Sequence, residues 1–313
     1  MNTAIEITNG ATAMPVPVIK TEKPKRASKL KAVDPKAAEP SKPKILIFGK
    51  AGVGKTWASL DFPSCYYIDT EGGANLAHYT DKLKKAGGAY MGPAEGAQDF
   101  DTIIDQIKLL GTEEHGFKTL VIDSISKLHN LEVNMEAERL GEKDGFGASK
   151  KPALRKMATV MRWIDKIDMN VIMIAHEKAL WFKGEQIGVT FDGADKLDYE
   201  LHLCLNIIKT GETRKAFVKK TRLLEFPDAS NFAWSYDEFA NKYGRHIIEG
   251  KVKQIVLATP EQLAELNTLL EVVKLPDGET DKWLKKANAE TFAEMDSDKV
   301  AACLTMLKGK IKS

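Results

Sequence analysis

The segment Gly49-Lys50-Ala51-Gly52-Val53-Gly54-Lys55-Thr56 follows four apolar residues, 45–48, and opens a stretch with helical patterning. No other feature restricts the fold as much. The pattern GxxxxGK[ST] between a strand and a helix is a phosphate cradle: its glycines let successive backbone N–H groups turn inward, and the helix start adds positive potential. At ordinary residue frequencies the bare pattern arises by chance in roughly 1% of chains this long, before the flanking strand and helix are demanded. Lys55 is placed to reach the β and γ phosphates of ATP, and Thr56 to put its hydroxyl on Mg²⁺.

From Ile45 onward, short β-branched runs alternate with helical patterns, which predicts an α/β fold with a mainly parallel central sheet flanked by helices. Candidate buried strands are residues 45–48, 65–69, 119–123 and 171–175. Phe100, Ile103, Ile104, Ile107 and Leu110 recur at helical spacing, as do Leu154, Met157, Met161, Ile164 and Ile167. After Tyr199, the alternation Leu201, Leu203, Leu205, Ile207 and then Ala216, Val218 predicts half-buried strands at an antiparallel edge. The ATPase core is expected over residues 45–250. Thr259-Pro260-Glu261 has the form of a helix start and opens a small helical module, residues 255–313, with helices expected at 261–274, 281–288 and 297–311.

Residues 1–44 hold nine of the 46 Lys plus Arg against four acids, and six of the twelve prolines. Such a stretch cannot bury enough surface to offset its ordering entropy and is expected to be a disordered basic arm. It either attracts phosphate backbones or is a solvated leader without a specific partner. Three scattered cysteines, Cys65, Cys204 and Cys303, lack metal-ligand spacing and point to reduced thiols in a cytoplasm-like compartment. No apolar run approaches the roughly 20 residues of a membrane span, and secretion is not expected.

A second group for the metal side is Asp123, ending the apolar run 119–122 as a Walker B acid should. Ser124 follows it, so a water-polarising Glu directly after that Asp is excluded. The base must come from elsewhere. Glu71, just beyond the strand 65–69, faces the carboxyl ends of the sheet where ligands bind; it either orients the attacking water or simply caps a glycine turn. Asp69 competes for the role, and Glu177 is the runner-up. His176, ending the strand 171–175, is the candidate γ-phosphate sensor.

In this order, these four pieces resemble the RecA-type ATPase core over residues 45 to about 226, most closely the phage-encoded RecA-like proteins of the single-strand-annealing Sak group. The resemblance implies that Glu71 polarises water. The bacterial recombinase has Gln where this chain has His176, and His donates the same kind of hydrogen bond. It also implies a homo-oligomeric ring or filament with shared ATP sites, in which Lys219, Lys220 or Arg222 reaches a neighbour's γ-phosphate. The alternative is a solvated basic edge strand. Two loops are expected to hold single-stranded DNA, residues 141–152 with Lys143, Lys150 and Lys151, and residues 178–196 with Trp181, Phe182 and Lys183, since interleaved aromatic and basic residues suit stacking and phosphate contact. Glu185, Asp192 and Asp195 in the second oppose a polyanion. Further implied partners are a single-strand-binding or other recombination protein, in the cytoplasm of a bacterial host.

Three functions follow. An ATP-driven DNA recombination or annealing protein ranks first and a nucleotide-switched loader or partner-recruiting module acting through the C-terminal helices second. A small-molecule kinase ranks last, because residues 140–200 are Lys-rich and lack the Arg residues of a phosphate-closing lid.

Overall fold

The computed structural model describes residues 40–141 and 147–311. The chain divides into Met1–Glu39 and Pro40–Ser313; the expected arm, up to residue 39, lies outside the described residues. Its last residues are corrected by the structure. Lys42 and Lys44 are buried, and their side-chain nitrogens donate to backbone carbonyls: Ile247 and Gly250 for the first, Ile167 and Met169 for the second.

In chain order, the first half is β1 (Lys44–Gly49), α1 (Lys55–Ser59), β2 (Cys65–Asp69), α2 (Ala77–Lys85), β3 (Ala89–Met91), α3 (Phe100–Thr112) and β4 (Thr119–Asp123). Then come α4 (Ile125–Leu140), α5 (Lys150–Lys166), β5 (Asn170–Phe182), β6 (Glu185–Phe191), α6 (Leu197–Glu200), β7 (Leu203–Thr210) and β8 (Thr213–Thr221). After β9 (Asn231–Ala233), α7 (Tyr236–Tyr243) and α8 (Arg245–Ile248), the chain ends in α9 (Pro260–Val272), α10 (Glu279–Ala287) and α11 (Ser297–Ile311).

The sheet runs β3-β2-β4-β5-β1-β7-β8-β9, parallel from β3 to β7 and antiparallel at β8 and β9. The central strands are apolar without alternation because both faces are covered. Leu46 and Phe48 of β1, Leu120 and Ile122 of β4, and Val171 and Met173 of β5 pack with α3 and α5. Their odd-even partners Ile45, Ile47, Val121, Ile172 and Ile174 pack on the other face with Phe62, Phe226 and Phe239. The chain leaves β1 toward β2 on one side while β7 flanks it on the other. The carboxyl end of β1 is therefore a switch point, where open α/β sheets bind ligands.

Two expectations change. Leu154 of the α5 stripe is exposed, while Val160 and Trp163 are buried in its place. The second expected DNA loop is a hairpin. β5 continues well beyond Ala175 and pairs with β6 through a two-residue turn at Lys183 and Gly184, both at positive φ. That backbone matches the twist of an antiparallel pair.

The C-terminal helices enclose their own core, including Leu266, Met295, Val300, Leu304 and Leu307. Thr259 and Gln262 form a reciprocal capping box at the start of α9. Glu294, just before α11, accepts from Arg162 of α5, and the Glu294 carbonyl accepts from Lys166 at 2.8 Å. Charge therefore fastens the module to α5.

Candidate active site

The turn after β1 is made by residues that only glycine can replace without strain at two points. Gly49 has φ 156°, and a Cβ there would stand 2.4 Å from the Ile207 carbonyl oxygen. Gly54, at φ 90°, would push a Cβ to 2.5 Å from Arg214 Nε. Lys55 turns back over the cradle, its Nζ 2.8 Å from the Gly49 oxygen and 2.9 Å from that of Lys50. Burial lowers the Lys55 pKa, and the carboxylates of Asp123, Glu71 and Glu177 resist that shift. An ammonium poised among carbonyls gains most when phosphate oxygens replace them.

Thr56 Oγ1 donates to Asp123 Oδ2 at 2.5 Å, and Tyr67 Oη donates to the same oxygen at 2.8 Å. Burial raises the Asp123 carboxyl pKa, while these two hydrogen bonds hold it down. Tyr67 is raised strongly by the same burial and by Asp123. A hydroxyl and a buried carboxylate side by side are the hard oxygen donors that Mg²⁺ takes when it is also bound to phosphate. The residues present fit that ion, and Thr56 and Asp123 would hold it. Bound there, Mg²⁺ would supply positive charge that neutralises charge developing on phosphate. Among the described residues no cluster of three or more His, Cys, Asp and Glu offers an all-protein metal site.

Three strands deliver polar groups to one wall of the cavity beside the cradle. Glu71 follows β2, Ser124 follows β4, and His176 lies within β5. Glu71 Oε1 is 2.5 Å from both Ser124 Oγ and His176 Nε2. Asp69 also lines this cavity, with its carboxylate engaged in other hydrogen bonds. Its carboxylate accepts from the backbone N–H groups of Glu71 (3.1 Å), Gly72 (2.8 Å) and Ala74 (2.8 Å) and from Tyr90 Oη (3.0 Å). It shapes the turn that presents Glu71. Glu177 reaches the same cavity, with its Oε2 3.2 Å from Asn206 Nδ2. The cavity has a volume of about 360 Å³ and contains Lys55, Thr56, Glu71, Asp123 and His176 together in its wall.

Other sequence candidates stand elsewhere. β8 is antiparallel to β7, so Lys219 and Lys220 lie toward the amino end of β1, away from the cradle, with Arg222 just beyond the strand. Lys220 donates to the Leu201 carbonyl and Arg222 to that of Tyr199. Lys150 and Lys151 form the first turn of α5 rather than a loop, and Lys143 lies outside the described residues. Trp181 and Phe182 are 61% and 59% exposed at the tip of the β5–β6 hairpin, with Lys183 in its turn, so they are not core residues.

Arg214 was missed. Its Nε donates to the Val53 carbonyl at 3.1 Å, and its side chain lies against Gly54. The signal was the tight turn Gly211-Glu212, where Thr210 pairs with Thr213 and returns the chain beside the cradle.

A family model described as AAA domain matches residues 41–232. Among solved structures, the chain is similar to one titled "Crystal structure of the RadB recombinase". The two are 19% identical, with a TM-score of 0.41 over 62% of this chain and 88% of that one. It is also similar to a prototypical ATPase from the type III secretion system of pathogenic bacteria. Here identity is 13% and the TM-score 0.34, over 85% of this chain and 79% of that one. No curated protein matches the chain.

Proposed function

Because the chain belongs to the AAA domain family and is a P-loop ATPase, we propose that it hydrolyses ATP to control its hold on single-stranded DNA in recombination or single-strand annealing. The observation that carries this is the continuity of β5. His176, in contact with Glu71 at the phosphate end of the cavity, and Trp181, exposed on the hairpin, belong to one strand. Five residue-to-residue steps of strand separate them by about 17 Å. A change at the γ-phosphate that moves His176 therefore moves the base of the hairpin, the kind of order and disorder coupling by which nucleotide state is read out.

In this reading Glu71 accepts the proton of the attacking water, Lys55 and the cradle amides stabilise charge on the phosphates, and His176 senses the γ-phosphate. Trp181 and Phe182 stack bases while Lys183, Lys150 and Lys151 contact phosphates. Lys219, Lys220 and Arg222, pointing away from the chain's own cavity, serve a neighbouring subunit in a ring or filament with shared sites. Residues 45–250 act as the ATPase core, 255–313 as an interaction module, and the residues up to 39 as the basic arm. The setting is the cytoplasm of a bacterial host, as for the Sak-group phage proteins, with a single-strand-binding or other recombination protein as partner.

The test is the hydrolysis rate with and without single-stranded DNA at fixed salt, since affinity for a polyanion depends on ionic strength. Stimulation of several fold is expected, and the double variant Trp181→Ala, Phe182→Ala should lose it while keeping the basal rate. If DNA leaves hydrolysis unchanged, the nucleotide-switched loader acting through the C-terminal helices becomes the better reading.

A further inference from the structure

The helical module leaves open a groove between α10 and α11. Its walls are Trp283 and Ala287 on one side and Ala302, Cys303 and Met306 on the other, with Met295 beneath. Its volume, about 260 Å³, falls below the ~300–1,000 Å³ of small-molecule and cofactor sites. It suits one large side chain. Cys303, Met295 and Met306 present sulfur to an aromatic ring, and Met adapts its shape to what it meets.

The rim is basic. Lys286 stands on the α10 side and Lys299 on the α11 side. Lys282 and Lys308, elsewhere on the module, are neutralised by Glu279 at 2.8 Å and Glu265 at 2.6 Å. Lys286 has no ion-pair partner among the described residues, and its charge reaches the Cys303 thiol. Lys299 pairs with Asp296 at 2.5 Å and cancels that acid beside the groove. An apolar slot with an uncompensated lysine on its lip selects an apolar anchor flanked by carboxylates. A second copy of this chain fits poorly, because an isologous contact through this face sets lysine against lysine.

We propose that the α10–α11 groove docks an acidic peptide segment of a partner protein, with one aromatic side chain seated between Trp283 and Met306 and carboxylates against Lys286. The site lies apart from the nucleotide cavity and does not depend on the recombination reading.

The probe is a fluorescent peptide of Asp and Glu residues with a single Phe, added to the full chain. Binding should weaken several fold as salt rises and fall about tenfold or more in Met306→Glu and in Lys286→Glu, with basal ATP hydrolysis unchanged in both variants. A peptide with Ser for Phe should not bind. Cys303 supplies a second readout. Cys65 and Cys204 are buried, with burial pushing the Cys204 thiol up to about 12, whereas Cys303 is half-buried. The peptide should therefore slow alkylation of the one accessible thiol. Unslowed alkylation, or binding that ignores the Phe and both substitutions, overturns the proposal. Protection of Cys303 that grows with protein concentration alone would assign the groove to a second copy, and protection by an oligonucleotide would assign it to DNA; either result also overturns it.

Discussion

Glu71 and His176 meet at 2.5 Å, Oε1 to Nε2, across 105 positions of chain. Glu71 follows β2 and His176 lies in β5, strands separated in the sheet by β4, and Ser124, just after β4, bonds the same carboxylate oxygen. A carboxylate already held by a hydroxyl and an imidazole is oriented before substrate arrives, which suits the base proposed for Glu71. Glu71→Gln keeps the shape and loses the basicity. Nucleotide binding should stay near the parent value while turnover falls by about 10²–10⁴-fold, measured by equilibrium binding beside single-turnover hydrolysis. Normal turnover would move the base to Glu177. His176→Gln, which retains a donor, should lose less activity than His176→Ala.

Asp69 offers the converse test. Its carboxylate accepts four hydrogen bonds, three of them from the backbone of the Glu71 turn. Asp69→Asn replaces one acceptor oxygen with a donor facing donors. Stability should fall by roughly 2–4 kcal/mol in urea titrations, with kcat lowered through a displaced Glu71. If the variant melts like the parent yet is as inactive as Glu71→Gln, Asp69 is the base and the assignment reverses.

What the sequence disclosed depended on how local the determining interaction was. Ile45 to Phe48, the glycines of the cradle and Asp123 were legible because strand burial and loop geometry are written in consecutive residues. Glu71 and His176 were placed individually, but their contact is a product of strand order. The segment beyond His176 is expected as a loop only because the resemblance implies one there, and the exposure of Trp181 and Phe182 is set by where the sheet ends. Lys183-Gly184 was the overlooked local signal. Arg214 escaped for a different reason. Its neighbours Lys219, Lys220 and Arg222 drew attention to basicity, whereas the antiparallel register assigns the first arginine, not the last, to the chain's own cradle.

Arg214 closes the outer side of the loop at Val53 and Gly54 and links β8 to nucleotide binding. Removing it leaves the Val53 carbonyl without that donor and frees the glycine turn. Arg214→Ala should weaken nucleotide binding by about 10-fold, the scale of one charge-assisted hydrogen bond, and raise KM more than it lowers kcat. Arg214→Lys, which shortens the reach and loses the planar fork, should fall between. Equal KM in all three proteins would make the contact incidental to the cradle.

Lys44 gives the fold a pH dependence of definite sign. Burial lowers its pKa to about 7, against the pull of Asp168 and Asp165, from the ordinary lysine value of 10.5. Between those values the unfolded chain holds a proton that the folded chain lacks, so stability increases with pH across that window. Below about 7 both states are protonated and the cost of the buried ammonium is fully present. Lys42 and Lys55 are lowered as well and contribute in the same direction. Lys44→Met removes the titration but also the donors to Ile167 and Met169, so its absolute stability is not the informative quantity. The slope is. Denaturant midpoints collected from neutral to mildly alkaline pH should rise less steeply in the variant, by up to ~1.4 kcal/mol per pH unit, the value for one proton. Parallel curves for variant and parent would show that Lys44 titrates alike in both states and that its burial carries no pH-dependent cost.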